Sequence, residues 1–588
     1  FIFSLNMKKC FTIFFISIFG TFYCINDSVF RPTLWNQLSL LEDSNIYNLS
    51  FGGPGSRLRS LKFNKKSFSI YDRHFMFYPE MSDMPIIKNN VPTVDAQYIL
   101  GPELEQNLAL YHNQSISNKS CYAISFLKRT HNGYYLNQLT NNNYLQIHYM
   151  NQKSDSTYKL LFGIKRHKIY NQLNGGLSND SSFTYPNTFK SNRKILDVNM
   201  QDAYSTNKLL KLFLNQSLTL RNKNTDSLTP KTTNKIHFNN SIQRYSRLYF
   251  DSLNSDLFIY NYDSSDVTYD SLVVENISST INYVFTYNYD SIYHSFSSGW
   301  KSDFIFQKNH NIDTLLINQS LNLNYSKKTP KSFLNLGLVY FPYGYKKNNS
   351  GINFLFSKNI HKSKELKLSA DFNRFKPIFE INNYQSNHHI WNNNNFNDII
   401  FWNASAEISS NALSLKTQFS KIYKPIYLIN YSIPEQSISS SQVIQTSLNH
   451  IISSGRYSLF SEIIYQYQGG ANIFQLPEWI GQFKFNYILG NSVSNLKLDL
   501  GFNAKFFSSY FLPSYSSELN QFTISNQKSQ PAYVMVDFIA KTSIKTVTIF
   551  FIISHLNSGL MGYNYFSALH FPSPDRLFKF GLRWTFLD

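Results

Sequence analysis

The residues whose types and spacing bear on chemistry are charges set an even number of positions apart: Lys579 and Arg583, Lys497 and Asp499, Lys367 and Asp371. In a strand such residues share one face, so each pair projects from one side while its apolar neighbours project from the other. Charges lining a wall around water set ion preference by their sign and field, the chemistry of a pore lining rather than of a reaction. With cations in excess among the six, mild anion preference is expected. Catalysis asks for a nucleophile beside a base held by an orienting group. No Gly-x-Ser-x-Gly elbow occurs, and serines and histidines are scattered without a selected pair. The adjacent His388 and His389 point apart in any strand or loop and have no cysteine or carboxylate clustered with them, so no metal centre is expected. Phe51-Gly52-Gly53-Pro54-Gly55 lacks the Gly-Lys-Ser/Thr ending of a phosphate loop and reads as a tight turn, so no cofactor is expected either.

The elements that must position these charges are strands. Phe578, Phe580, Leu582, Trp584 and Phe586 alternate with Lys579, Gly581, Arg583 and Thr585, giving one apolar and one polar face. The ending fits polar-x-Gly-x-x-aromatic-x-aromatic at Lys579, Gly581, Trp584 and Phe586, which resembles the closing-strand signal read by the insertion machinery of outer-membrane β-barrels. The same alternation recurs from about Val94 onward. Leu145, Ile147 and Tyr149 enclose Gln146 and His148, and Tyr158, Leu160, Phe162 and Ile164 enclose Lys159 and other residues before Lys165. Leu334, Leu336, Leu338 and Tyr340 form a third run, Leu366 to Phe372 a fourth and Leu496 to Phe502 a fifth. Strands of about ten residues with aromatic ends suit a membrane wall.

The connections make a separate argument, because such barrels alternate short periplasmic turns with long outer loops. Reading backward, strand 577–586 follows a long loop, 554–576. Strands 544–553 and 533–540 meet around Lys541, Thr542 and Ser543. A second long connection, 508–531, precedes strands 495–507 and 483–489, which meet at Gly490-Asn491-Ser492. The Asn-rich segment 382–399 reads as a further outer loop.

Composition agrees. Charged residues make up 15%, against about 25% in an ordinary soluble protein, while 41 Tyr and 52 Phe stand among 588 residues. Phe, Ile, Lys, Asn and Tyr rise together, so order carries more weight than totals. The net charge of +19 is spread along the chain rather than gathered in a patch or arm, which speaks against a nucleic-acid partner. Three cysteines, Cys10, Cys24 and Cys121, cannot build a disulfide framework. Lys8 and Lys9 after Met7 precede an apolar run from Cys10 to Cys24, the layout of a secretory signal cleaved near residue 24. The expected organisation is a signal peptide over 7–24, a periplasmic or lumen-docked N-terminal segment over 25–90, and a barrel over 91–588.

Several short pieces, in this order, carry a family resemblance: Gly52 to Gly55, Pro92-Thr93 with Tyr98-Ile99-Leu100-Gly101, Glu105-Gln106, and His112-Asn113-Gln114. Asn174-Gly175-Gly176, Val536-Asp537-Phe538 and Pro572-Ser573-Pro574-Asp575-Arg576 continue it into Gly581 to Asp588. Nearly all of the mature chain thereby resembles the putative porins of Bacteroidetes outer membranes. The resemblance implies an all-β fold, a transmembrane antiparallel up-and-down β-barrel in the outer membrane, with porin activity. At a strand plus connection of about 25 to 35 residues, the barrel is expected to hold about 14 to 18 strands, best 16. The expected role is passive diffusion of small hydrophilic solutes. The expected partners are outer-membrane lipid, the insertion machinery, the solutes themselves and, in an oligomer, further copies of the chain. Two other roles compete: a plugged barrel serving assembly or adhesion, and a barrel lipase or protease. Residues 25–90 are too few for the plug domain of a TonB-dependent transporter.

Overall fold

The computed structural model describes residues 48–50, 58–63, 91–186, 192–223, 231–253, 258, 260–262, 267–361, 363–429, 432–489 and 496–587. The signal peptide, the Gly52 to Gly55 turn, most of segment 25–90 and the Gly490-Asn491-Ser492 turn lie outside them. Among the described residues no helix is long and apolar enough to cross a membrane, which does not bear on strands.

Twenty-two antiparallel strands close into one barrel. In chain order they are β1 (Thr93–Gly101), β2 (Glu105–Ser117), β3 (Ser120–His131), β4 (Thr140–Gln152), β5 (Tyr158–Leu173), β6 (Ala203–Lys223) and β7 (Lys231–Asp251). Then come β8 (Thr268–Tyr289), β9 (Ile292–Asn309), β10 (Ile312–Lys328), β11 (Ser332–Gly344), β12 (Ser350–His361), β13 (Lys364–Phe375), β14 (Ile399–Ser409) and β15 (Leu413–Tyr423). The rest are β16 (Ser441–Ser454), β17 (Tyr457–Gly470), β18 (Trp479–Leu489), β19 (Leu496–Phe507), β20 (Tyr533–Ile544), β21 (Val547–Ser554) and β22 (Leu577–Leu587). Each pairs with its sequence neighbours, and β22 returns to β1 with Thr93 opposite Leu587 and Leu100 opposite Phe580.

The expected count of about 16 is therefore corrected to 22. An allowance of about 25 to 35 residues per strand and connection leaves no room for strands joined by two or three residues. In the sector β8 to β13 the chain reverses through 290–291, 310–311, 329–331 and 362–363, at both ends of the barrel. At Asp290 and Ser291 both residues have positive φ, 46° and 64°, the geometry of a type I′ turn whose twist matches the strands it joins. Individual boundaries also move. β20 runs on to Ile544 and turns at Lys545, where φ is 51°, so Lys541, Thr542 and Ser543 lie within the strand.

The alternation of connections holds for the long ones and is not strict, since 102–104 and 310–311 are short reversals at the outer end. At the end that holds Thr93 and Leu587, the inner end, the longest connection is 224–230; at the outer end lie 174–202, 252–267, 376–398, 424–440, 508–532 and 555–576. Trp300, Phe304, Leu321, Leu338, Trp402, Phe419, Phe502 and Trp584 are exposed on the outer wall. On a soluble domain that much apolar exposure would drive association; around a barrel it is the face that meets lipid.

Glycines admit aromatic rings on the wall. Gly581 lies opposite Phe550, and a Cβ there would come within 2.2 Å of the ring. Gly163 under Phe213 and Gly481 under Phe506 repeat the arrangement. The ring covers the backbone that glycine leaves bare, which pins the register of each pair.

Candidate functional site

The inward face carries the charges named above. Lys367 and Asp371 alternate with the outward Leu368, Ala370 and Phe372 on β13, and Lys497 and Asp499 alternate with Leu498 and Leu500 on β19. Lys579 and Arg583 share the inward face of β22 with Gly581. They are not free cations. Lys579 Nζ donates to Glu105 Oε1 at 3.0 Å, where Glu105 is 1% exposed and also accepts from Asn107 at 2.8 Å. The Arg583 guanidinium donates through Nη2 and Nε to both carboxylate oxygens of Asp95, at 2.7 and 3.1 Å. Lys367 pairs with Glu365 at 3.1 Å, Lys301 with Asp303 at 2.9 Å, and Asp371 accepts from Asn403 at 3.2 Å. The wall thus carries opposite charges side by side, and the fields of Lys579, Arg583, Lys367 and Lys301 are largely spent on their partners.

Part of the N-terminal segment lies against this wall. The Phe63 N–H donates to Gln466 Oε1 at 2.7 Å, and Gln466 Nε2 donates back to the Leu61 carbonyl at 3.0 Å. Lys62 Nζ meets Glu462 at 3.1 Å. Glu462, Ile464 and Gln466 are consecutive buried positions on β17, alternating with more exposed ones. Phe63 packs edge to face on Phe474 of the outer connection, centroids 5.2 Å apart.

Across the outer mouth the long connections fold onto one another. Leu61 joins Tyr135, Leu177, Phe183, Leu196, Leu512, Tyr565 and Phe566 in one apolar cluster with the wall residues Ile464, Ile480, Phe507 and Tyr533. Connection 508–532 is the strut. It is rooted between β19 and β20, and its Leu519 carbonyl accepts from Arg247 Nη1 of β7 at 3.0 Å. Counted round the ring of 22, β7 is nine strands from β20 and ten from β19, so this segment spans the barrel nearly along a diameter. On the way Glu518 meets His389 at 2.9 Å, the Ile524 N–H donates to Leu428 at 2.9 Å, and Lys528 meets Asp180 at 2.8 Å. Connection 376–398 reaches about a quarter of the way round the mouth, with the Asn387 N–H on Asp270 at 2.8 Å and His388 on Thr268 at 2.8 Å, both at the outer end of β8.

Electrostatics fasten the assembly. Arg193 Nε donates to Asp575 at 2.6 Å while its guanidinium lies over Phe183 at 4.2 Å, and the Tyr565 hydroxyl donates to the same carboxylate. Burial and the Asp575 charge push the Tyr565 phenol far above its ordinary value, so it stays a donor. Burial raises the Asp180 carboxyl, but His570 at 3.2 Å and Lys528 outweigh it and hold the group below the usual range. His555, 2% exposed, is held neutral by burial. Its Nδ1 donates to the Pro574 carbonyl at 2.8 Å and its Nε2 accepts from the Tyr533 hydroxyl at 2.7 Å.

The two adjacent histidines do point apart, His388 to β8 and His389 to connection 508–532. The expectation that no carboxylate joins them is corrected: Glu518 reaches His389 from 129 residues away, a contact the local sequence does not hold. Ser516 donates to that same Glu518 oxygen, so the serine bonds the acid and not the base, the wrong order for a nucleophile. Below the strut a small cavity is lined by Tyr245, Arg247, Tyr384, Trp391, Asn520 and Gln521. Arg247 Nε and Nη2 find no partner there among the described residues.

Sequence reasoning missed Asp95, Arg247, Glu462, Gln466 and the hub role of Asp575. A signal for some of them existed. Glu105, Asn174, Gly176, Asp537 and Asp575 all stand in the short pieces that carry the family resemblance. Asn174 Oδ1 accepts from the Gly176 N–H at 3.0 Å in a turn where φ is 84° and a Cβ would strike His570, and Asp537 accepts from the His555 N–H at 2.9 Å.

A family model described as "Putative porin" matches residues 25–588. No curated protein matches the chain significantly. Among solved structures, the FrpB iron transporter from Neisseria meningitidis is 9% identical with a TM-score of 0.61, covering 85% of this chain and 83% of that one. The ferric-catecholate import receptor Fiu from E. coli K12 is 11% identical with a TM-score of 0.59, covering 85% and 82%. The copper transporter OprC is 9% identical with a TM-score of 0.59, covering 85% and 81%. At these identities the likeness is one of fold, a large closed barrel.

Proposed function

The chain belongs to a putative porin family, and from that premise we propose that it is an outer-membrane channel for small hydrophilic solutes whose mouth is closed at rest by its own loops. The observation that carries this reading is the Arg247 to Leu519 bond, which anchors a connection from one side of the barrel on nearly the opposite side. Residues 60–63 against β17 and the cluster around Tyr565 narrow the same passage. A 22-strand barrel is wide enough to conduct only if such elements move aside. The passive, permanently open pore gives way here to a capped one. The fold it shares with iron and copper transporters suits a barrel that admits solute in steps. Arg247, which lines the cavity and has Nε and Nη2 buried without a partner among the described residues, is the group assigned to meet an anionic solute once the cap opens. Insertion is assigned to the barrel-assembly machinery, reading Lys579, Gly581, Trp584 and Phe586. Transport, not catalysis, is the assigned activity.

Planar-bilayer conductance of the full mature chain tests the reading, beside a variant in which 513–528 is replaced by a short Gly-Ser link. The wild type is expected to be closed or briefly flickering, and the variant to give steady steps of nanosiemens order. Equal, steady conductance from both would sink the capped channel and restore the open porin.

A further inference from the structure

We propose that the outer face of β13 to β15 holds the phosphate headgroup of an outer-leaflet lipid, through Arg374, Lys421 and Lys424. The three strands are in direct register here. Phe372 pairs with Trp402 and Trp402 with Lys421; one step of the pleat nearer the outer end, Arg374 pairs with Ile400 and Ile400 with Tyr423. These side chains point away from the lumen, since they alternate with Asp371, Asn403 and Ser420 of the inward face. Phe375 and Tyr423 end their strands at the outer rim, so the patch sits where the hydrocarbon gives way to headgroups.

The chemistry of the patch is mixed in the way a phosphorylated lipid is mixed. Phe372 and Trp402 meet edge to face with centroids 4.8 Å apart, an apolar floor for acyl chain. Above them Arg374 Nε donates to Asp398 at 2.8 Å, and Lys421 Nζ lies 4.7 Å from the centre of the Tyr423 ring. Phe396 and Lys424 line the groove with Arg374, Trp402 and Tyr423, and Lys421 stands beside it, paired with Trp402. One carboxylate thus stands against three cations, and neither Lys421 nor Lys424 has an ion pair among the described residues. A lysine on the lipid side of a strand is unfavourable in hydrocarbon and is tolerated where its stem lies along apolar surface and its ammonium reaches anionic headgroups. On the outer face of β7 and β8, by contrast, Arg244 meets Glu275 at 3.4 Å. An excess of cation above an aromatic floor calls for an anion that carries its own hydrocarbon.

The test is native mass spectrometry of the full mature chain in detergent, titrated with bisphosphorylated lipid A, with the same lipid after phosphatase treatment, and with inorganic phosphate. The wild type is expected to retain the phosphorylated lipid, and each of Arg374→Gln, Lys421→Gln and Lys424→Gln to weaken retention by about fivefold, the contribution of one cation at a charged membrane surface. Asp398→Asn, which frees Arg374, is expected to strengthen it, and Lys416→Gln on the lumenal face to leave it unchanged. Heat-modifiable mobility confirms that each variant is folded. Equal retention of the phosphatase-treated lipid, displacement of the lipid by millimolar inorganic phosphate, or full retention by the triple variant would each overturn the proposal.

Discussion

Arg247, on β7, donates to the main-chain carbonyl of Leu519 at 3.0 Å, although the segment that carries Leu519 is rooted between β19 and β20 on the far side of the barrel. A guanidinium held by a carbonyl is a reversible latch. It is a single charge-assisted hydrogen bond, contributing about 1.5 to 3 kcal/mol. Arg247→Gln is expected to raise the open fraction of single channels by about tenfold or more, read in bilayer recordings of the full chain. An open fraction equal to wild type would show that the apolar cluster alone holds the cap.

Lys579 and Arg583 hold the seam where β22 meets β1. Glu105, 1% exposed, loses its countercharge when Lys579 is reversed. Breaking such a pair costs about 3 to 5 kcal/mol because a buried carboxylate is left uncompensated. Lys579→Glu should therefore lower the temperature at which the folded band is lost in heat-modifiability gels, and Lys579→Glu with Glu105→Lys should recover most of it. A change in reversal potential without loss of stability would instead mark Lys579 as a free pore charge.

Gly581 gives a separate handle on closure. Gly581→Leu would drive its side chain into the Phe550 ring, which already fills that space. Overpacking of this kind costs about 1 to 3 kcal/mol. The yield of refolded barrel should fall, with partial recovery in Gly581→Leu combined with Phe550→Ala; an unchanged yield would mean the ring moves aside freely.

Acid should loosen the cap in two steps. His555 is neutral in the closed form with its affinity for protons lowered by burial, beside Tyr533, Tyr565, Asp537, Asp575 and Arg576. A base with a lowered folded value contributes its full share above its ordinary value of about 6.5, and that share is lost as the pH falls below it, because the opened form takes up the proton. Asp180, lowered by His570 and Lys528 against burial, contributes above the ordinary carboxyl value of about 4 and loses its share as the pH falls further. Open probability measured from pH 8 to pH 3.5 should rise first below about 6.5 and again below about 4. His555→Gln should abolish the first rise only; a flat profile in the wild type would refute the scheme.

The sequence by itself determined that the chain is built of amphipathic strands, which face of each legible strand is apolar, and that long connections such as 508–531 and 554–576 alternate with short ones near the end of the chain. Each of those is written locally, because a period of two places every second side chain in lipid, and that alternation is legible within ten residues at Leu496 to Phe502 as at Phe578 to Phe586. It also placed Lys579 and Arg583 inward, and it marked Glu105 and Asp575 through short motifs without saying what they touch. Only the tertiary structure decided the number of strands, since a two-residue reversal such as 290–291 leaves the alternation almost unbroken and hides a turn. It alone decided that Lys579 is neutralised by Glu105, 474 positions away, and that Arg247 reaches Leu519 across 272. Contacts at that range carry no periodic signal; they arise when closure of the ring brings β22 against β1 and sends the loops across a mouth that exists only once the barrel is complete.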